Sequence, residues 1–189
     1  MLFPQTRAQE MSAPWNAVKL ISKNKAIEKL TAELTELARS VARDYEHRAK
    51  DCLTCEVKGS CCTDAHFVNV RITPLEAAAI RRVIDRLPTE RREQLDRRIE
   101  ETVERYELDK PDRAESTYSC PLLDEDLGCV VHGAAKPLPC IMHACYEQRS
   151  DMPPDDLQAA METSIARLNL LTYGKHAVVR PLPVAIIRR

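Results

Sequence analysis

Glycine is scarce in this chain: four in 189 residues, at Gly59, Gly128, Gly133 and Gly174. No Gly-rich loop is therefore available to wrap backbone amides around a nucleotide phosphate, and no P-loop, H-E-x-x-H or G-x-S-x-G motif occurs. Aromatics are equally thin. Two Phe and one Trp cannot build a base-stacking platform for single-stranded nucleic acid. An excess of one charge sign is missing too. The 28 basic and 29 acidic residues leave a formal net charge of -1, which gives no reason to expect nucleic acid or an anionic membrane as partner. No run of about 18 apolar residues occurs, so no transmembrane helix is expected. The opening MLFPQTRAQEMSAPWNAVKL has no continuous apolar run of signal-peptide length. The expected compartment is the reducing cytoplasm, where structural disulfides are disfavoured.

What the chain does have is cysteine, and it is bunched. Cys52, Cys55, Cys61 and Cys62 form C-x2-C-x5-C-C, and Cys120, Cys129, Cys140 and Cys145 form C-x8-C-x10-C-x4-C. These are all 8 cysteines; none lies in the first 51 residues or the last 44. Thiols scattered through a core would not group this way. The options are metal ligation, disulfide or thiol redox chemistry, and buried structural thiols; clustered cysteines in a reducing compartment read first as metal ligands. Four thiolates are soft donors that suit tetrahedral zinc or an iron–sulfur cluster. A C-x2-C turn aims two sulfurs at one centre. Adjacent cysteines such as Cys61 and Cys62 point apart in extended chain, so they would serve two centres, or one would ligate and the other support the core. His66, His132 and His143 lie in or beside the clusters but are expected not to ligate while eight thiols are at hand, and Asp64 and Glu147 read as surface groups.

Around the clusters the periodicity is mostly helical. Residues 1 to about 20 form a loose lead-in broken by Pro4 and Pro14, with Trp15 as its anchoring aromatic. From Asn24 to His47, the residues Ile27, Leu30, Leu34, Leu37, Val41 and Tyr45 recur at spacings of three and four, giving one apolar stripe. The stripe is suited to a core, with a partner helix as the alternative. Gly59-Ser60 marks a turn, and HFVNVRI alternates like a short strand. Thr73-Pro74-Leu75-Glu76 carries a capping box with proline at the first helical position. It predicts a helix to about Leu87 that buries Leu75, Ala79, Ile80, Val83 and Leu87. Pro88 opens another helix, Thr89 to Leu108, with Leu95, Ile99, Val103 and Tyr106 on one face. Between Arg71 and Arg113 stand 11 basic and 11 acidic residues, well mixed, as on a solvated helix surface. CPLLDEDLGCVVHG predicts a hairpin, Lys136-Pro137-Leu138-Pro139 an extended turn delivering Cys140, and residues 154–172 a last helix with Leu157, Met161, Ile165, Leu168 and Leu171 inward and Gly174 as stop. The tail HAVVRPLPVAIIRR reads as extended, an edge strand or a core cover.

The cysteine layout resembles the bacterial CxxCxxCC cysteine-cluster proteins, the YkgJ-type zinc- or iron-chelating family. The likeness rests on Cys52-x2-Cys55, the Cys61-Cys62 pair, the strand and Thr73-Pro74-x-Glu76 start after it, Cys120-Pro121-Leu122-Leu123, Gly128-Cys129-Val130-Val131-His132, and Pro139-Cys140 followed by Cys145. It covers roughly residues 50 to 146. Five residues, where the family has two, separate Cys55 from Cys61, and Lys136-Pro137-Leu138-Pro139 with Ile141 stands where the family carries Arg-Pro and a following Arg. The resemblance implies a bound metal or cluster, with a lean to [4Fe–4S]. It reaches to flagellin lysine N-methylases, iron–sulfur proteins that use S-adenosylmethionine. No C-x3-C-x2-C triplet of the ordinary radical S-adenosylmethionine kind is present.

The expectation is therefore a mainly α-helical domain with a small β-hairpin, carrying a cysteine-rich metal-binding cluster. Residues 1–49 would form an N-terminal tail and amphipathic helix, 50–175 the cysteine-cluster domain, and 176–189 an extended C-terminal tail. The two clusters, separated by the 57 residues between Cys62 and Cys120, should meet in space. The expected function is a metal-binding protein holding an iron–sulfur cluster or Zn2+ through Cys thiolates. The alternatives are a protein-lysine N-methylase-like or redox enzyme using an iron–sulfur centre, and a structural-zinc scaffold whose protein partner binds the N-terminal helix stripe.

Overall fold

The computed structural model describes residues 20–50, 59–63, 69–113, 115–124 and 128–188. Within them the chain is mainly helical. Helices α1 (Lys23–Asp44), α2 (Pro74–Ile84), α3 (Thr89–Tyr106), α4 (Leu138–Met142), α5 (Asp155–Tyr173) and α6 (Leu182–Ile186) are joined by two small antiparallel sheets. One pairs β1 (Arg71–Ile72) with β4 (Arg180–Pro181), and the other is the hairpin of β2 (Leu123–Asp124) and β3 (Gly128–Cys129). Among the described residues no helix is long and apolar enough to cross a membrane.

Helix α1 starts at Ser22, whose hydroxyl accepts from the Lys25 amide at 3.4 Å. Its stripe of Ala26, Ile27, Leu30, Leu34, Leu37 and Val41 is buried. The stripe packs with Leu75 and Ala79 of α2, Leu138 and Ile141 of α4, and Ile165 and Leu168 of α5. It is spent inside the molecule and does not offer a seat for a partner helix. Tyr45, expected on the stripe, instead ends the helix, half-buried, where the chain tightens into a 3-10 turn at Glu46–Arg48.

Helix α2 begins as expected. The Thr73 hydroxyl accepts from the Glu76 amide at 3.3 Å while the Glu76 carboxylate accepts from the Thr73 amide at 2.9 Å. The helix stops at Ile84, before the expected Leu87. The residue before a proline resists α conformation, so the chain must turn ahead of Pro88, and Arg86 and Leu87 close short bonds to Val83 and Ile84. Ile84 accordingly takes the buried place expected of Val83, which is half-buried like Leu87. Helix α3 buries Leu95, Ile99 and Val103 and ends at Tyr106, because Glu107 adopts a left-handed φ of 52°. The Leu108 amide then folds back to the Val103 carbonyl at 3.1 Å, a Schellman-type stop that drives Leu108 inward.

The C-terminal residues supply both an edge strand and a core cover, as expected, but not as one extended tail. After β4 pairs with β1 in the register Arg71↔Pro181 and Ile72↔Arg180, the chain forms a helical turn in place of an extended tail. Pro183 falls in the first turn of α6, where a missing amide costs nothing. Leu182, Pro183, Val184 and Ile186 are all buried. Leu182 and Ile186 complete a second core with Ile72, Ile80, Ile84, Leu95, Ile99, Leu122 and Val131. The expected strand at HFVNVRI appears only as Arg71–Ile72 in the described residues; His66, Phe67 and Val68 lie outside them.

Two buried polar side chains pin the helices. Asn169 of α5 is 0 % exposed. Its Oδ1 accepts from the Leu75 amide at 3.1 Å, at the start of α2, and its Nδ2 donates to the Ile165 carbonyl at 2.9 Å. Glu76, 4 % exposed, accepts at Oε1 from the Leu138 amide at 3.1 Å, at the start of α4. A helix N-terminus has amides with no partner inside the helix, and these two side chains supply acceptors for them across the core. Replacing Asn169 by Ala strands the Leu75 amide in the interior. The expected cost is about 2 kcal/mol, a melting temperature lower by several degrees. Calorimetry of Asn169→Ala that showed no shift would mean that this cap carries no weight.

Candidate metal centre

The first cluster reaches the body of the protein through a turn. Gly59 adopts φ +72°, and its carbonyl accepts from the Cys62 amide at 2.7 Å, closing the 3-10 turn Ser60–Cys62. A side chain at Gly59 would be strained by this φ. Its Cβ would also lie 3.1 Å from both δ carbons of Leu123 on the hairpin. Glycine is thus needed twice, for conformation and for close approach. The turn also changes the geometry expected for adjacent cysteines. In extended chain they would point apart; here the chain is coiled, and the Cys61 and Cys62 sulfurs stand 3.8 Å from each other in a thiol hydrogen bond.

The second cluster is built on three short elements. Cys120 precedes the hairpin, and its carbonyl accepts from the Leu123 amide at 3.2 Å. Arg98 of α3 clamps the same stretch, donating from Nε to the Pro121 carbonyl at 2.6 Å. Cys129 lies on β3 opposite Leu123, reached through Gly128 at φ +72°. Cys140 sits in α4. An extended turn was expected over residues 136–139; Pro137 is extended, but Leu138 and Pro139 are helical. Leu138 starts a helix, since Pro139 falls where a helix has no use for an amide donor. Glu76 receives the Leu138 amide and so sets the position of the turn carrying Cys140.

One backbone bond joins the clusters: the Cys120 amide donates to the Cys62 carbonyl at 2.8 Å. Cys61, Cys62, Cys120, Cys129 and Cys140 are all half-buried, and their charges interact with one another. Cys145 is held differently. Its carbonyl accepts from the Lys50 amide at 3.0 Å, beside a bridge between Ala49 and Tyr146. It is tied to the residues that lead into the first cluster. Cys52 and Cys55, with Asp64 and His66, lie outside the described residues.

Burial and the neighbouring sulfurs raise the thiols of Cys62, Cys120, Cys129 and Cys140. The hydrogen bond shared with Cys61, then burial, pushes the Cys62 thiol far above its ordinary value. Burial pushes Cys120 up to about 12, and burial together with the Cys120 and Cys129 charges raises Cys140 strongly. Cys129 is raised by burial and partly relieved by Lys136. Such a group cannot hold several thiolates without positive charge among them, the condition that a bound cation meets. His132 and His143 are exposed, and partial burial holds the His132 imidazole below its usual value. Glu147 is a surface group, ion-paired to Lys50 at 3.4 Å. Among the described residues no three His, Cys, Asp or Glu side chains form a closed metal-holding group. The adjacent Cys61 and Cys62 offer sulfur, a donor that fits zinc or iron–sulfur better than a hard cation.

Residues that the sequence did not single out hold this arrangement. Tyr118, 0 % exposed, donates to the Val70 carbonyl at 2.7 Å and accepts from the Leu182 amide at 3.3 Å. It fixes the chain two residues before Cys120. Neither Tyr118 nor Arg98 carries a periodic or motif signal that would have pointed to it.

Compared with known proteins, the chain matches no family model, no curated protein and no solved structure.

Gly59→Ala forces a side chain into the left-handed region and against Leu123. It should lower stability by about 1–2 kcal/mol and speed alkylation of Cys61 and Cys62 by iodoacetamide, read by mass spectrometry. Unchanged melting and alkylation would show that the turn tolerates a side chain.

Proposed function

We propose that this protein holds a metal centre through cysteine thiolates, as an iron–sulfur cluster or as zinc. One observation carries the proposal. Two cysteine sets separated by 57 residues are joined by the Cys62–Cys120 backbone bond, on a platform built by otherwise unrelated helices. Cysteines on a 3-10 turn, a hairpin and a short helix, drawn from both sets, are the donors that a centre with soft ligands would use.

Cys61, Cys62, Cys120, Cys129 and Cys140 are the ligand candidates among the described residues, and Cys52, Cys55 and Cys145 complete the two sets. When bound, the metal supplies the positive charge that lets neighbouring thiols ionise. The protein's own residues set the frame. Gly59 and Leu123 seat the first turn, Arg98 and Tyr118 hold the chain on either side of Cys120, and Glu76 places the helix of Cys140. Because the ligands come from distant parts of the chain, a bound metal also crosslinks them and stabilises the fold. The likeness to cysteine-cluster proteins inclines the choice toward [4Fe–4S].

Metal and acid-labile sulfide are to be measured on protein purified without oxygen. Iron with matching sulfide, and a brown absorbance near about 400 nm, identifies a cluster. Zinc without sulfide identifies a thiolate zinc site. Cys62→Ser and Cys120→Ser should each lower the bound metal severalfold, and chelation should lower the melting temperature of the wild type but not of these variants. Metal-free protein with its thiols paired in disulfides would overturn the proposal.

A further inference from the structure

A groove of about 600 Å³ runs between the start of α1, the outer face of α2, and α6. It lies apart from the cysteines, and nothing in the metal centre depends on it. Its floor is small and apolar: Ala77 and Ala78 of α2, Ala185 of α6, and the edge of Ile27. Its rim is basic, with Lys23, Arg81, Arg82 and Arg86 set against Asp85.

The local charges do not cancel. Arg81 pairs with Asp96 at 2.5 Å and with Asp85 at 3.0 Å. Arg188 bonds the same Asp85 and lies 3.8 Å from Asp96. Two arginines thus share two aspartates, and that set is neutral. Lys23, Arg82 and Arg86 remain, and none of them forms an ion pair with an acidic group among the described residues. The first turn of α1 adds to the excess. It carries Lys23 and Lys25 and no acidic residue, at the helix end where the backbone dipole is already positive. A local surplus of cations over an alanine floor stands on a chain whose formal net charge is -1.

We propose that this groove docks an acidic segment of a partner protein. Carboxylates would meet Lys23, Arg82 and Arg86 on the rim, and short side chains would lie over Ala77, Ala78 and Ala185. The chain's own residues 1–19 carry Arg7 and Lys19 against Glu10 and offer no complementary charge. Nucleic acid would match the sign of the rim but not the alanine floor, and no described aromatic lines the groove for its bases to stack on.

The test is fluorescence anisotropy of the full chain with a labelled poly(Glu-Ala) peptide at low and at physiological ionic strength. Saturable binding that weakens as salt shortens the screening length to about 8 Å is expected. The triple variant Lys23→Glu/Arg82→Glu/Arg86→Glu, confirmed folded by circular dichroism, should bind about tenfold or more weaker. Ala78→Gln, which fills the floor and leaves the charges in place, should weaken binding as well. Equal binding by the triple variant, equal binding of a poly(Gln-Ala) peptide, or tighter binding of a single-stranded oligonucleotide would overturn the proposal. So would no binding at low salt, or peptide-independent self-association through this face.

Discussion

Glu76 accepts hydrogen bonds at both carboxylate oxygens while almost wholly buried: at Oε2 from the Thr73 amide and hydroxyl, at Oε1 from the Leu138 amide. An unsatisfied carboxylate in that position would be prohibitive, so the surrounding chain has little freedom to rearrange. Helix α2 must start at Pro74, and α4 must bring its first amide within 3.1 Å. Asn169 adds the same constraint from α5 on the neighbouring amide of Leu75. Three helices are thereby set in register by two side chains, and the apolar contacts around them gain a unique arrangement beyond mere collapse.

The cysteine-bearing segments follow from this frame. They are irregular or short: a 3-10 turn, two-residue strands and a five-residue helix. None could persist alone, because each makes too few internal hydrogen bonds to offset its ordering. Each is fastened by a contact from a longer element. Glu76 of α2 fastens α4, Arg98 of α3 fastens the approach to the hairpin, and Leu123 receives the Gly59 turn. The cores consist mainly of aliphatic side chains, with Cys129 at the edge of one and Cys120 at the edge of two. A metal would therefore join segments that the helices have already brought near.

Charge follows a similar division. The near balance of the whole chain conceals local segregation, since the aspartates Asp85 and Asp96 are both engaged by Arg81 and Arg188. This network ties α6 to α2 and α3, with Arg81 also reaching the Ile186 carbonyl at 3.4 Å. Its consequence is an unbalanced basic rim on the adjoining groove. Composition reports only the sum, and recognition depends on the placement.

The sequence by itself determined the long helices α1, α2, α3 and α5, because their apolar positions repeat at the helical period and local signals mark several of their ends: the Thr73 capping box, Pro88 before α3, and Gly174 after α5. It also determined the hairpin turn and the grouping of the thiols. The boundary errors at Leu87 and Leu108 came from chain reversals, where a proline or a left-handed residue outweighs periodicity. Only tertiary structure decided that residues 182–186 coil into the core, since a short proline-containing segment has no period to read and takes its shape from what it buries. Only tertiary structure decided that Cys61 and Cys62 place their sulfurs on one side of a turn, and that Glu76, Asn169 and Tyr118 face inward. Beyond local partners such as Thr73 for Glu76 and Ile165 for Asn169, the amides and carbonyl these groups meet across the core lie 48 to 94 residues away in the chain.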